Sequence, residues 1–125
     1  MRGGSWTSRT PLSTSARGRR AERRVAWHYR LRGYRILERN VRAGGVELDL
    51  IVRRGTRLLF VEVKEKTGPS HGDPLDAVDE RKRARLRRGA EAWLIANPQL
   101  QSLRAGFEIV AVRGHALERV ADLLY

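Results

Sequence analysis

The stretch Val46-Glu47-Leu48-Asp49-Leu50-Ile51-Val52, then Arg53-Arg54-Gly55-Thr56-Arg57, then Leu58-Leu59-Phe60-Val61-Glu62-Val63-Lys64, reads as two β-rich runs joined by a tight turn. Centring that turn on Gly55-Thr56 makes a hairpin with Leu48 opposite Val63, Leu50 opposite Val61 and Val52 opposite Leu59, so one face is wholly aliphatic. On the other face the same register sets Asp49 opposite Glu62, Glu47 opposite Lys64 and Ile51 opposite Phe60. Directly opposed β carbons lie about 4.5 to 5.5 Å apart, and like charges so placed repel unless a cation sits between them. The Asp49/Glu62 pair therefore asks for a metal ion, and an all-oxygen donor set suits Mg²⁺ or Mn²⁺ better than zinc. The plain alternative is a solvent-facing strand surface in which Glu47 and Lys64 form an ordinary ion pair and the other acids are hydrated.

Before the hairpin, residues 1 to 17 are rich in Ser, Thr, Gly and Arg, lack acidic residues and show no apolar period, which reads as a disordered basic arm. From Gly18 to about Arg32 the pattern turns helical, with Gly33 placed to end the helix. Ala21, Val25, Ala26 and Tyr29 share one arc of that helix, and Glu22 falls inside it. A carboxylate on a core-facing stripe is costly unless something there needs its charge. Tyr34 to Val41 reads as a strand.

Beyond the hairpin, Gly68-Pro69 and His71-Gly72-Asp73-Pro74 mark a loop, and Asp73 with Pro74 opens a helix that Asn97-Pro98 ends at about Ala96. Phe107 to Val112 reads as a strand, parallel to its predecessor because a helix of this length between them suits a crossover. Ala116 to Tyr125 is a short terminal strand or turn. The order αβββαβ gives an α/β fold, a mixed sheet with helices packed against it, spanning residues 18 to 125.

The chain has 125 residues, 41% of them hydrophobic and 32% charged, enough for one domain with one core. With no cysteine, disulfide scaffolds, thiolate metal sites and thiol nucleophiles are excluded. No apolar run is long enough to span a membrane, and without a signal-type apolar core the expected location is the cytoplasm. The formal net charge is +12, which favours a polyanionic partner such as nucleic acid. A general compositional bias toward arginine would raise the count anywhere. The distribution says more: residues 1 to 42 hold 12 arginines against Glu22 and Glu38, a net of +10, leaving +2 for the rest.

Other candidates carry less. His28, His71 and His115 lack metal-ligand spacing, although His71 lies in a loop from which it could approach a bound phosphate. The basic run from Arg81 to Arg88 reads as a solvated helix face or as a phosphate-binding ridge. Trp27 and Trp93 read as packing residues, and Trp6 could stack on a base.

Asp49, twelve intervening residues and then Glu62-Val63-Lys64 resemble the D…ExK signature of the PD-(D/E)xK, or restriction-endonuclease-like, nucleases. The likeness extends further. Gly18, Glu22 and Ala26 on the first helix, Gly33-Tyr34, Asn40, VELDLI, FVEVK, the His71-Gly72-Asp73-Pro74 loop, Ala77-Val78, Lys82 and FEIVAV resemble the YraN family. That family comprises nuclease-like bacterial proteins similar to archaeal Holliday-junction resolvases. Val46, Lys66 and Glu108 depart from its usual glycine, arginine and aspartate.

The resemblance implies a restriction-endonuclease-like core in which Asp49 and Glu62 hold Mg²⁺ (or Mn²⁺), aided by the backbone carbonyl of Val63. It implies that Lys64 orients or activates the attacking water, that Glu22 completes the metal's outer shell or holds a second ion, and that Glu47 joins the shell or restrains Lys64. Arg19, Arg20, Arg23, Arg42, Lys66, His71 and Lys82 are the expected nucleic-acid contacts. The function so implied is metal-dependent hydrolysis of DNA phosphodiester bonds, selective for branched or junction DNA, with RNA left open as a substrate. Junction resolution would need a homodimer with two sites. The rival is a non-catalytic nucleic-acid-binding accessory protein on the same fold, which explains the arginines but not the set of Asp49, Glu62 and Lys64.

Overall fold

The structure, a computed structural model, describes residues 12–65 and 80–122. Helix α1 (Leu12–Leu31) forms where Ala21, Val25, Ala26 and Tyr29 recur on one face, and all four are buried. It stops at Gly33, whose φ of +89° is one that a side chain disfavours. The amide of Gly33 bonds to the carbonyl of Arg30 and that of Tyr34 to the carbonyl of Tyr29, each at 3.0 Å, the paired closure of a Schellman motif. Tyr34 then packs edge-on against Tyr29 with ring centres 5.3 Å apart. The start of α1 corrects the expected one at Gly18. Leu12 to Arg17, assigned to the arm because they lack apolar periodicity, contain no helix breaker and follow Pro11, a residue suited to a helix start. Residues 1 to 11 lie outside the described residues.

Strands β1 (Arg35–Ala43), β2 (Val46–Arg54), β3 (Arg57–Glu65), β4 (Arg104–Arg113) and β5 (Ala116–Asp122) form one sheet in chain order. Helix α2 (Glu80–Ala96) lies between β3 and β4 in the chain, and that pair alone is parallel, from Arg57 beside Arg104 to Glu65 beside Val112. The expected αβββαβ order therefore holds, and the terminal segment adds β5 by a third hairpin. The helix start expected at Asp73 and Pro74 lies outside the described residues. The expected end at Ala96 is where α2 stops, and Pro98–Leu100 follow as one 3-10 turn.

The helices cover opposite faces of the sheet. Ala21, Val25 and Tyr29 of α1 pack with Leu50, Val52, Leu59, Val61, Val110 and Val112, whereas Leu86, Ala90 and Trp93 of α2 pack with Val46, Leu48, Ile51, Phe60 and Phe107. Each large aliphatic or aromatic side chain so buried contributes about 1.5–3 kcal/mol. Gly89 lets α2 approach β2 closely, since a Cβ there would lie 3.0 Å from Val46 Cβ and 3.2 Å from Leu48 Cδ2. Two expectations are corrected. Leu48 does not share a face with Leu50 but joins Ile51 under α2, so β2 changes phase between them at Asp49. Trp27 is not a packing residue, being 57% exposed, whereas Trp93 is buried.

In β4 every residue from Phe107 to Val112 is buried, Glu108 included at 5% exposure. Its carboxylate is satisfied from three elements. The Tyr29 hydroxyl of α1 donates to it, Arg119 of β5 donates from Nε at 2.9 Å and Nη2 at 3.0 Å, and Arg57 Nη2 of β3 stands at 3.9 Å. The Arg119 guanidinium also lies 4.8 Å from the centre of the Tyr29 ring. Burial, then the bond to Glu108, holds the Tyr29 hydroxyl well above the usual phenol range. Glu108→Ala strands both donors and should lower the unfolding free energy in urea melts by about 2–4 kcal/mol, against about 1 kcal/mol for Tyr29→Phe. Equal losses in the two variants would show that the carboxylate does not hold these layers together.

Candidate active site

The β2–β3 ladder runs in the register expected from the Gly55-Thr56 turn, from Arg54 beside Arg57 to Leu50 beside Val61. The paired positions end there, one step before Asp49. Instead of facing Glu62 across a regular ladder, Asp49 turns its own side chain to the partner strand, and its Oδ2 accepts the amide of Val63 at 2.9 Å. A carboxylate is a stronger acceptor than the strand carbonyl it replaces. The exchange coincides with the phase change that sends Leu48 beneath α2. On the other side of β2, the ladder with β1 skips the same level: Arg39 pairs with Leu50 and Val41 with Leu48, and Asn40 between them has φ of 53°. Asparagine tolerates that left-handed conformation better than most residues. The Asn40 Nδ2 donates to Glu22 Oε1 at 3.0 Å, tying α1 to the sheet beside Asp49.

Asp49, Glu62, Glu47 and Val46 line a cleft of about 230 Å³ whose other wall is Lys82, Arg85 and Leu86 of α2. Burial pushes the Asp49 carboxyl up to about 7, and the charges of Glu62, Glu22 and Glu47 push the same way against the Val63 amide, which favours the ionised form. Glu62 is partnered by Lys82, with Nζ 3.2 Å from Oε2. Burial disfavours the Lys82 ammonium, yet the charge and hydrogen bond of Glu62 outweigh it and hold the group above the ordinary lysine range. Lys64 stands two residues after Glu62 on the same strand face, close to Lys82.

The expected residues separate into groups. Asp49, Glu62, Val63, Lys64 and Lys82 meet at the cleft, Glu47 stands exposed on its wall, and Glu22 reaches it through Asn40. Arg42 is at the β1–β2 turn, where its Nη2 donates to the carbonyl of Gly45 at 3.3 Å. Arg19, Arg20 and Arg23 lie along α1, all exposed. Lys66 and His71 fall outside the described residues. Arg85, expected only as one member of the basic run, follows Lys82 by three residues and so shares its helix face at the cleft. Asn40 appeared in the family pattern without a role, and only its positive φ and its bond to Glu22 supply one.

The donors fit a hard divalent cation in kind. All are oxygens, and after burial it is the negative charge of Glu62, Glu22 and Glu47 that raises the affinity of Asp49 for a proton, a charge that a cation would relieve. Among the described residues no set of three or more His, Cys, Asp or Glu side chains is gathered closely enough to hold an ion. Asp49 and Glu62 supply two carboxylates, and magnesium is commonly held by one or two while keeping several waters. Among the described residues no helix is long and apolar enough to cross a membrane.

The folded protein holds the Asp49 proton more tightly than the unfolded chain, so ionising Asp49 costs stability as pH rises from about 4 to about 7. Without metal, Asp49→Asn should therefore melt higher than wild type at pH 8, by about 5 °C or more, and show little advantage at pH 4. An advantage independent of pH would remove the strained carboxylate.

The family profile described as "Uncharacterised protein family UPF0102" matches residues 21–112. A UPF0102 protein of Syntrophotalea carbinolica is 41% identical over 96 residues, 77% of each chain. One from Halorhodospira halophila is 40% identical over 106 residues, 85% of this chain and 84% of that one. A third, from Methylorubrum extorquens, is 44% identical over 103 residues, 81% of this chain and 79% of its own length. Matched along most of its length, and through every strand and helix that builds the cleft, the chain belongs to the UPF0102, or YraN, family.

Proposed function

We propose that this protein is a Mg²⁺- or Mn²⁺-dependent nuclease that hydrolyses phosphodiester bonds of DNA at the cleft between the β2–β3 hairpin and α2. The observation that carries the reading is the exchange at Asp49: a strand gives up a regular ladder position so that a half-buried carboxylate, pushed up to about 7, can stand beside Glu62. Perturbed carboxylates clustered in a cleft mark sites of chemistry more often than structural surfaces. Asp49 and Glu62 would hold the ion, with Glu22 and Glu47 adding negative charge around it. Bound there, the cation would lower the pKa of a water and neutralise charge on the phosphodiester.

The chain's own groups do the rest. Lys64, a compact ammonium on a flexible stem, orients the attacking water and donates to a phosphate oxygen. The Val63 amide fixes the orientation of the Asp49 carboxylate. Lys82 holds Glu62 in place. Arg85, on the same wall, supplies a cation to the backbone of the bound strand. Selectivity for branched or junction DNA and a homodimer belong to this same reading and rest on the family resemblance.

A second reading has an observation in its favour. Lys82 already neutralises Glu62, and among the described residues no three His, Cys, Asp or Glu side chains gather closely enough to hold an ion, as suits a nucleic-acid-binding accessory protein that does not cleave. Cleavage of duplex, single-stranded, flap and four-way-junction DNA, and of RNA, with Mg²⁺, Mn²⁺ or EDTA separates the two. Wild type should cut with metal and not with EDTA. Lys64→Ala should abolish cutting while changing DNA affinity less than about threefold, because one phosphate contact among many is a small share of the binding. No cleavage of any substrate, or full cleavage by Lys64→Ala, would leave the accessory reading in its place.

A further inference from the structure

A second basic surface lies on the outer side of α1, away from the cleft. Trp27 and Leu31 stand about 140° and 180° around the helix from Glu22, which faces the site. They are 57% and 76% exposed. With Arg20, Arg23, Arg24 and Arg32 they line a groove of about 480 Å³, bounded across from α1 by Leu117 of β5, and among the described residues no carboxylate lines it.

The groove is built rather than incidental. Arg24 spans it to the β4–β5 turn, its guanidinium donating to the carbonyls of Gly114 and, at 2.6 Å, His115. Arg32 is held by the carbonyl of His28 at 3.0 Å, so its charge also counters the negative end of the helix dipole. Arg30 stands 5.3 Å from the centre of the Trp27 ring, a cation–π contact that steadies the indole while leaving more than half of Trp27 open to solvent.

An exposed indole among arginines, with no acidic side chain among the described residues that line the groove, suits one chemistry in particular. Phosphates satisfy the guanidinium groups, and a flat base covers the apolar ring, as in sequence-tolerant single-strand binding, where each stacked base contributes about 1–3 kcal/mol. A paired base, already stacked within its duplex, cannot cover the ring. We infer that this groove holds an unpaired segment of a nucleic-acid strand, with a base on Trp27 and phosphates on Arg20 and Arg23. Paired with the cleft, the groove gives the protein two contacts on opposite sides of α1. The inference rests on the reading of the protein as one that acts on nucleic acid, but not on its cutting any.

The test is binding in EDTA, where cleavage plays no part. Fluorescein-labelled oligothymidylate and a blunt duplex of equal length are titrated with wild type, Trp27→Ala, and Arg20→Glu combined with Arg23→Glu. Trp27→Ala should lose about 5-fold to 100-fold in affinity for the single strand and under threefold for the duplex. The double charge reversal should weaken both and flatten the salt dependence by about two units for the single strand. Both variants should melt near wild type, because Trp27, Arg20 and Arg23 are all exposed. Equal single-strand affinity in wild type and Trp27→Ala would overturn the assignment even if the protein proves a nuclease. Intact single-strand binding through Trp27 in a protein that cuts nothing would sustain it while the nuclease reading failed. Binding of wild type to phosphatidylserine vesicles or polyglutamate, lost in Trp27→Ala, without binding to the oligonucleotide would assign the groove elsewhere and overturn it too.

Discussion

A carboxylate in the middle of a strand covered on both faces is among the most demanding groups a fold can contain, because an unpaired charge there is far costlier than any lost apolar contact. Glu108 is that group. Its needs are met by Tyr29 from α1, Arg119 from β5 and Arg57 at the start of β3, so the orientation of α1 across the sheet follows from where its hydroxyl must be. Glu22 precedes Tyr29 by seven residues, about two helical turns, and so lies on the same side of the helix. Pinning Tyr29 at Glu108 therefore also delivers Glu22 to Asn40 and toward Asp49.

Against this scaffold the cleft is electrostatically unlike the rest of the molecule. A chain of net charge +12 attracts polyanions over its whole surface, yet Asp49, Glu62, Glu47 and Glu22 gather negative charge at one end of the hairpin. A phosphate approaching that point meets repulsion from the carboxylates and attraction from Lys64, Lys82 and Arg85. Two devices moderate the local excess in the protein alone: Lys82 takes Glu62, and burial leaves Asp49 ready to keep a proton near neutral pH. A divalent cation would do the work of both at once and reverse the sign of the field a phosphate sees.

The close seating of α2 bears on the same cleft. Gly89 has no side chain to hold the helix away from Val46 and Leu48, and Gly44 likewise accepts Ala92, whose Cβ would lie 3.0 Å from any Cβ added there. Lys82, Arg85 and Leu86, less than two turns earlier, inherit their positions from that contact. The geometry of the site is thus set from both faces of the sheet, by a buried charge on the α1 side and by missing side chains on the α2 side.

Much of this was legible in the sequence because local chemistry and periodicity decided it. Gly55-Thr56 set the hairpin register, the Ala21, Val25, Ala26 and Tyr29 stripe set the buried face of α1, and a helix between strands implied that β3 and β4 run parallel. Glu22 was conspicuous as a charge on an apolar stripe. What strict alternation could not reveal was the phase change at Asp49, because it arises when a side chain outcompetes a backbone carbonyl for the Val63 amide. Nor could composition show that Lys82 closes on Glu62, that Trp27 faces outward, or that Glu108 is satisfied by residues 79 and 11 positions away in Tyr29 and Arg119. Sequence alone determined which segments become helices and strands and which side chains could carry the chemistry, since those depend on neighbours along the chain. Tertiary structure decided which charges meet, because burial and pairing depend on neighbours that only folding brings together.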